Sequence, residues 1–187
     1  MNAAENWICS SSLWRWFTTR QLLPWVLSGA SLGDHLLEIG AGYGAATAHL
    51  STQVPRVTSL EYNLNSVRKW KSSNNGLAAT VCGDASNLPF AAQTFTSALA
   101  ILVLHHLKST ELQDQMFVET FRVLRPGGFF IAFEVTDSWF HRVGHIRSTF
   151  TPVEPGSVSP RLTAAGFSGI ALDARRGAFR LTAIRPT

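Results

Sequence analysis

Glu38, Gly40, Gly42 and Gly44 stand at alternate positions in residues 35–44, which read HLLEIGAGYG. Leu36, Leu37 and Ile39 form a short apolar run that ends abruptly in the three glycines. Such a run predicts a buried strand, a tight turn and a helix over 45–50. Glycine lacks a Cβ, so its backbone reaches positive φ and approaches a ligand closely. The first N–H groups of the following helix would face the same turn, which makes this a nucleotide-type binding loop. Gly40-Ala41-Gly42-Tyr43-Gly44-Ala45 also satisfies the loose dinucleotide pattern G-x-G-x-x-G/A, so the loop alone leaves the nucleotide open.

Further along, two acids follow predicted strands. Glu61 lies 21 residues after Gly40, at the end of a strand over 56–61. An acid there is placed to accept hydrogen bonds from ribose hydroxyls. Tyr62, beside it, could lie against an adenine face. Asp84 sits in Gly83-Asp84-Ala85 after a third strand over 77–82, where it would accept from the exocyclic amine of an adenine. A fourth strand over 95–104 is apolar almost throughout, hence expected to be buried on both faces. It ends in Leu104-His105-His106-Leu107, and imidazoles titrate near neutral pH.

The elements that must position these groups are legible to different degrees. A helix over 64–72 would be capped by Asn63 or Asn65. A helix over 110–124 is stopped by Arg125-Pro126-Gly127-Gly128, and a fifth strand follows over 129–135. Residues 136–160, with Trp139, Phe140, His141, His145, Phe150 and three prolines, read as a connection with partial helix. A short helix over 159–165 ends at Gly166. Strands over 167–172 and 179–184 form a hairpin around Arg175-Arg176-Gly177. Before all of these, residues 6–27 hold Trp7, Trp14, Trp16 and Trp25 with Ile8, Leu13, Phe17, Leu22 and Leu23. They predict one or two amphipathic helices broken at Pro24. Three uses fit them: packing over the domain, a lid, or a surface that touches lipid.

Composition bounds the rest. A chain of 187 residues fits one domain. The net charge of +4 is modest. Arg161, Arg175, Arg176, Arg180 and Arg185 give the C-terminal part a basic bias, read as a solvated face. An acidic substrate or an anionic membrane surface is the alternative for them, and no recognised nucleic-acid module is present. Cys9 and Cys82 are isolated, which argues against a zinc site or a disulfide framework and for reduced thiols in the cytoplasm. No apolar run approaches the roughly 20 residues of a spanning helix. Arg15 and Arg20 interrupt the only N-terminal stretch that could serve as a signal peptide.

The ordered set LLEIGAGYG, VTSLEYN, CGDASNLPF, LHHL and FRVLRPGG resembles the class I S-adenosylmethionine (SAM)-dependent methyltransferases, most closely the methyltransferase type 11 group. The resemblance covers residues 36–135. It implies an α/β fold: a Rossmann-like, doubly wound, seven-stranded sheet, mostly parallel with an antiparallel last strand and helices on both faces. It implies a single domain over 1–187, with a helical lid or cap over 1–30 and a cofactor-binding core over 31–135. Residues 136–187 would supply the substrate-side segment and closing hairpin. Carried over by position, Glu38, Gly40, Ala41, Gly42 and Gly44 would surround the amino-acid end of SAM. Glu61 and Tyr62 would meet the ribose and adenine, Asp84 and Ala85 the adenine, and Ala100 and Ile101 the pocket after the fourth strand. Thr96 stands where the family often has an acid, a departure that bears on sheet support more than catalysis.

What the resemblance implies chemically is methyl transfer by in-line displacement from SAM, leaving S-adenosylhomocysteine, to a small-molecule acceptor of hydrophobic or lipid-like character. The protein would mainly align the reactants. A base is needed only where the nucleophile arrives protonated; His105 is the first candidate, with His106, His141, His145 and Glu134 behind it. Ala100-Ile101-Leu102-Val103 stands where amino-directed nucleic-acid methyltransferases carry N-P-P-Y, so no nucleic-acid partner is expected. No carboxylate cluster suggests a metal. Peripheral membrane contact through the Trp-rich segment is one expectation. Two rivals stand: an NAD(P)-dependent oxidoreductase, which lacks a second substrate domain and a Tyr-x-x-x-Lys pair here, and a non-catalytic SAM-binding module.

Overall fold

Alternate residues of the apolar strands face opposite sides, and that alternation builds the layers of the molecule. A computed structural model describes residues 3–73, 76–144, 148–175 and 177–187, and places seven strands in one sheet. They are β1 (His35–Ile39), β2 (Arg56–Glu61), β3 (Ala79–Cys82), β4 (Phe95–Ile101), β5 (Leu124–Val135), β6 (Ser168–Arg175) and β7 (Ala178–Ile184). Helices α1 (Ala3–Ser10), α2 (Ser12–Phe17) and α3 (Leu23–Val26) precede β1, and a π-helical turn, Thr18–Leu22, joins α2 to α3. The connections hold α4 (Thr47–Leu50), α5 (Leu64–Ser73), α6 (Thr110–Val123), α7 (Trp139–Gly144) and α8 (Pro155–Ala164). The strand order is β3-β2-β1-β4-β5-β7-β6, with β7 antiparallel to both neighbours. This is the expected Rossmann-like sheet, and its order reverses between β1 and β4, where such sheets open a crevice at their carboxyl edge.

Leu37, Ile39, Ala98, Ala100, Phe130 and Ala132 pack with Met116 and Phe117 of α6 and with Val158 and Leu162 of α8. Leu36, Leu99, Ile131 and Phe133 belong to a second core with Leu22, Leu23, Val26 and Leu50. Helix α6 buries Gln113, Met116, Phe117, Thr120 and Val123, a stripe of helical period.

Local geometry corrects several boundaries. After the glycine loop the helix is the single turn α4 rather than 45–50, because Gly44 at φ +74° holds residues 42–46 in turns. Pairing to β2 begins at Ala79, so β3 is shorter than 77–82. Strand β4 stops at Ile101 instead of residue 104, because Leu102 takes φ +58°, where a strand cannot continue. Arg125-Pro126-Gly127-Gly128 does not stop α6. The helix ends at Val123 and β5 starts at the next residue, with Gly127 N–H and Gly128 C=O paired to Arg185 at 2.8 and 2.9 Å. Helix α8 begins at Pro155, four residues earlier than read, since a proline in the first turn forgoes no intrahelical bond. Pro24 does not break the N-terminal helix; the break lies at Ser11, whose hydroxyl accepts from Trp14 N–H at 3.0 Å. Asn63 is the cap of α5, accepting from Asn65 and Ser66 N–H.

Three of the C-terminal arginines, Arg161, Arg180 and Arg185, are half-buried rather than part of a solvated face, while Arg175 stays exposed. Arg161 binds Asp114 at 2.5 Å and stacks over Phe117. Arg175 lies 4.0 Å over the Trp25 ring. Arg180 donates to the carbonyls of Trp25, Val26 and Ser28, which closes the end of α3. Arg185 does the same for α6 through Phe121, Arg122 and Leu124. Arg176 lies outside the described residues. Among those residues, no helix is long and apolar enough to cross a membrane.

Candidate active site

Three glycines close the end of β1 and do different things. Gly40 and Ala41 N–H both donate to the Leu60 carbonyl, at 2.8 and 3.1 Å. A Cβ on Gly40 would lie 2.5 Å from Val103 Cγ2, and one on Gly44 would lie 2.3 Å from the Trp70 ring. Protein packing therefore demands glycine at both. Gly42 differs: its φ is +56° and nothing lies within 4 Å of where a Cβ would point. The space at Gly42 is thus open, whereas at Gly40 and Gly44 glycine admits a neighbouring side chain.

Glu61 completes the loop from the end of β2. Its Oε2 accepts Gly42 N–H at 2.8 Å and its Oε1 accepts Asn63 N–H at 2.8 Å. Tyr62 stands beside it, 74% exposed. Glu38 is buried in β1, where its Oε2 accepts the hydroxyls of Thr47 at 2.5 Å and Ser59 at 2.8 Å. Burial pushes this carboxyl above the usual range, and the two hydroxyls oppose the shift. Glu38 thus ties β1 to α4 and β2 just before the loop. Thr96 bridges Leu32 C=O and His35 N–H at the amino end of β1 and β4, away from this edge.

On the β3 side, Asp84 Oδ1 accepts from Ser86 N–H and Oγ–H at 2.8 and 2.7 Å, and Ala85 is buried. Sequence reasoning missed what holds this loop. Glu119 of α6 accepts Leu88 N–H at 2.8 Å, while Arg122 donates to the carbonyls of Leu88 and Phe90. The two pair at 2.7 Å, and the Arg122 guanidinium holds the Glu119 carboxyl below its usual range. An acid and a base three apart on one helix were the available signal.

At the end of β4, Ala100 is buried and Ile101 half-buried. Leu102 then turns the chain in the left-handed region, its N–H held by Phe133 C=O at 2.9 Å. This turn sends Val103 onto Gly40 and His105 toward β5. His105 Nδ1 lies 2.7 Å from Glu134 Oε1, and His105 N–H donates to Glu134 Oε2 at 3.0 Å. Both residues are buried. Aromatic rings extend the cluster: His106 at 4.1 Å and Phe150 at 5.6 Å from the His105 ring, and His141 at 6.5 Å from Phe150. Sequence reading weighed His105 and Glu134 as separate bases; the pairing of β4 with β5 makes them one unit. His145 lies outside the described residues. Helix α1 reaches both sides of this edge, since Glu5 accepts from the Ser148 hydroxyl and Ser10 lines a pocket with Tyr43.

The methyltransferase domain family matches residues 37–132, just over half of the chain and the stretch that holds all of these loops. The chain belongs to the class I SAM-dependent methyltransferase family. This methyltransferase chain is 35% identical over 118 residues to 24-methylenesterol C-methyltransferase 2 of Oryza sativa subsp. japonica, covering 59% of the chain and 32% of that protein. It is 32% identical over 117 residues to the demethylmenaquinone methyltransferase of Corynebacterium kroppenstedtii, covering 63% and 46%. The chain therefore spans a third to a half of the length of these curated relatives. Among solved structures, the SAM complex of phosphoethanolamine N-methyltransferase 2 from Haemonchus contortus superposes with a TM-score of 0.78 at 14% identity, covering 98% of this chain and 56% of that one. A chain of the Haloferax volcanii complex between a methyltransferase and its activator gives 0.79 at 17% identity, covering 99% and 94%. At such identities the likeness is one of fold.

Proposed function

We propose that this chain binds SAM along the carboxyl edge of β1 to β4 and transfers its methyl group to a small hydrophobic acceptor. The observation that carries the reading is Gly42, an open position of positive φ at the sheet's switch point, closed on one side by Glu61. That cradle, followed by Asp84 on the next strand, fits an adenosyl group with an amino-acid tail. Glu38, Gly40, Ala41 and Gly44 shape the loop around the amino-acid end. Glu61 takes ribose hydroxyls on its remaining lone pairs. Tyr62, Asp84 and Ala85 border the adenine, and Ala100 and Ile101 line the wall beyond β4. The described residues 3–30 cap the acceptor side.

Bound SAM supplies a methyl group already activated on a sulfonium. The chain's part is alignment and, where the nucleophile arrives protonated, proton removal. Glu134 at His105 Nδ1 orients the imidazole, the side chain proposed to take the acceptor's proton. Glu134 is then a positioning residue. Hydrophobicity of the acceptor is supported by the sterol and menaquinone names of the relatives and by the Trp-rich cap.

The test is calorimetric titration with SAM, S-adenosylhomocysteine and NAD, beside Glu61→Ala. The first two should bind and the variant should lose them. NAD binding in their place would overturn this reading of the site. Labelled-methyl transfer to sterol and quinone acceptors then separates an enzyme from a non-catalytic SAM-binding module. With an acceptor in hand, His105→Gln should lower kcat by about 100-fold or more with SAM affinity kept. Glu134→Gln should lower it less and move the pH profile.

A further inference from the structure

Helices α1 and α2 present a surface that the proposed chemistry does not use. None of the six residues of α2 is buried, although the helix reads SLWRWF. Trp7 is 74% exposed, Leu13 72% and Trp16 54%, with Ile8 and Phe17 also open. An apolar cluster of this kind on a small protein marks an interaction surface. Beside it lies a pocket of about 340 Å³ lined by Ser10, Arg15, Tyr43, Lys69, Trp70 and Ser72. Two of the six residues are cations, two carry aliphatic hydroxyls, and none is acidic. Arg15 and Arg20 are the basic residues of the described segment from α1 to α3, and its acid, Glu5, is engaged by Ser148.

We infer that α1 and α2 dock the protein on an anionic phospholipid bilayer, with a lipid phosphate seated between Arg15 and Lys69. The composition decides for lipid. Indole rings favour the headgroup level, where an apolar body and a polar N–H are both satisfied. Arginine and lysine beside them add attraction to anionic lipid. Exposed apolar side chains on the two helices, and a cationic, hydroxyl-lined pocket bordered by Ser10 and Arg15 of the same helices, match the two layers of such an interface. Tyr43 belongs to the glycine loop, so the docked face adjoins the proposed cofactor site. The inference draws on the proposed function only in letting a hydrophobic acceptor arrive from the bilayer; docking itself requires no turnover.

The experiment is flotation of the full chain with neutral phosphatidylcholine vesicles and with vesicles that also contain phosphatidylglycerol, at low and high salt. Binding should favour the anionic vesicles by at least about tenfold, weaken in salt, and shift tryptophan emission to the blue. Trp7→Ser with Trp16→Ser should weaken binding to both vesicle types by about tenfold or more, at an unchanged thermal midpoint. Arg15→Glu with Lys69→Glu should remove the preference for anionic lipid. No binding of the unmodified chain to anionic vesicles overturns the inference. So does equal binding to both vesicle types, or capture of soluble glycerol phosphate without vesicle binding. SAM titration of the same protein separates the two readings. SAM binding without vesicle binding removes docking alone, and vesicle binding without SAM binding removes the methyltransferase reading alone.

Discussion

Helices α2 and α3 are separated by the five residues Thr18–Leu22, both carry tryptophan among apolar residues, and they meet opposite fates. In α3, Leu23 and Val26 are fully buried, Trp25 donates to Asp173 at 2.7 Å and packs edge-on against Phe133, and Arg180 closes the carbonyl end. In α2 nothing is buried, and the cap at Ser11 is its strongest local feature. Hydrophobic content therefore does not distinguish the two. What does is whether the sheet offers partners: α3 meets β5, β6 and β7, whereas α2 lies past their reach. Beyond the reach of the sheet, Trp16 and Phe17 of α2 stay open among the described residues.

That contrast can be broken by matched substitutions. Leu23→Ala should cost about 3 kcal/mol in denaturant unfolding, as a fully enclosed leucine does. Arg180→Ala should cost about 2 kcal/mol, because three carbonyls lose a charged donor, and hydrogen exchange should quicken in α3 before it does in β1. Trp25→Phe keeps the ring packing and loses the bond to Asp173, so about 1 kcal/mol is expected from the same unfolding curves. Leu13→Ala, at a site 72% exposed, should stay within about 0.5 kcal/mol. A Leu13 effect as large as that of Leu23 would show α2 to be part of the core in solution and would end the contrast.

The central strands β1, β2 and β4 and the glycine loop were legible because those strands are short, hold apolar residues and are punctuated. Glycine, acid and histidine fell at strand ends in the order the fold uses them. The reasons behind them were less legible. Nothing near Gly40 or Gly44 in sequence announces Val103 or Trp70, so a packing requirement looked like a binding one. The His105–Glu134 pair is invisible until β4 and β5 are neighbours. The arginines looked like a charged face because composition cannot tell a solvated guanidinium from one that closes a helix. Boundaries failed where a single φ angle decided them, as at Leu102, or where helix passed into strand without a loop, as at Leu124.

Leu102 carries a consequence for the evolution of this chain. A leucine in the left-handed region costs about 1 kcal/mol, and glycine at that position would relieve it. In Leu102→Gly the relieved strain is set against lost packing on the second core and glycine's added chain entropy. Stability read from the thermal midpoint should therefore stay within about 1 kcal/mol of level, while the turn that aims Val103 at the glycine loop and His105 at Glu134 is freed. A measured gain in midpoint together with lower turnover would place stability and activity in opposition at this one backbone angle. A chain optimised for heat would then drift away from its chemistry there first.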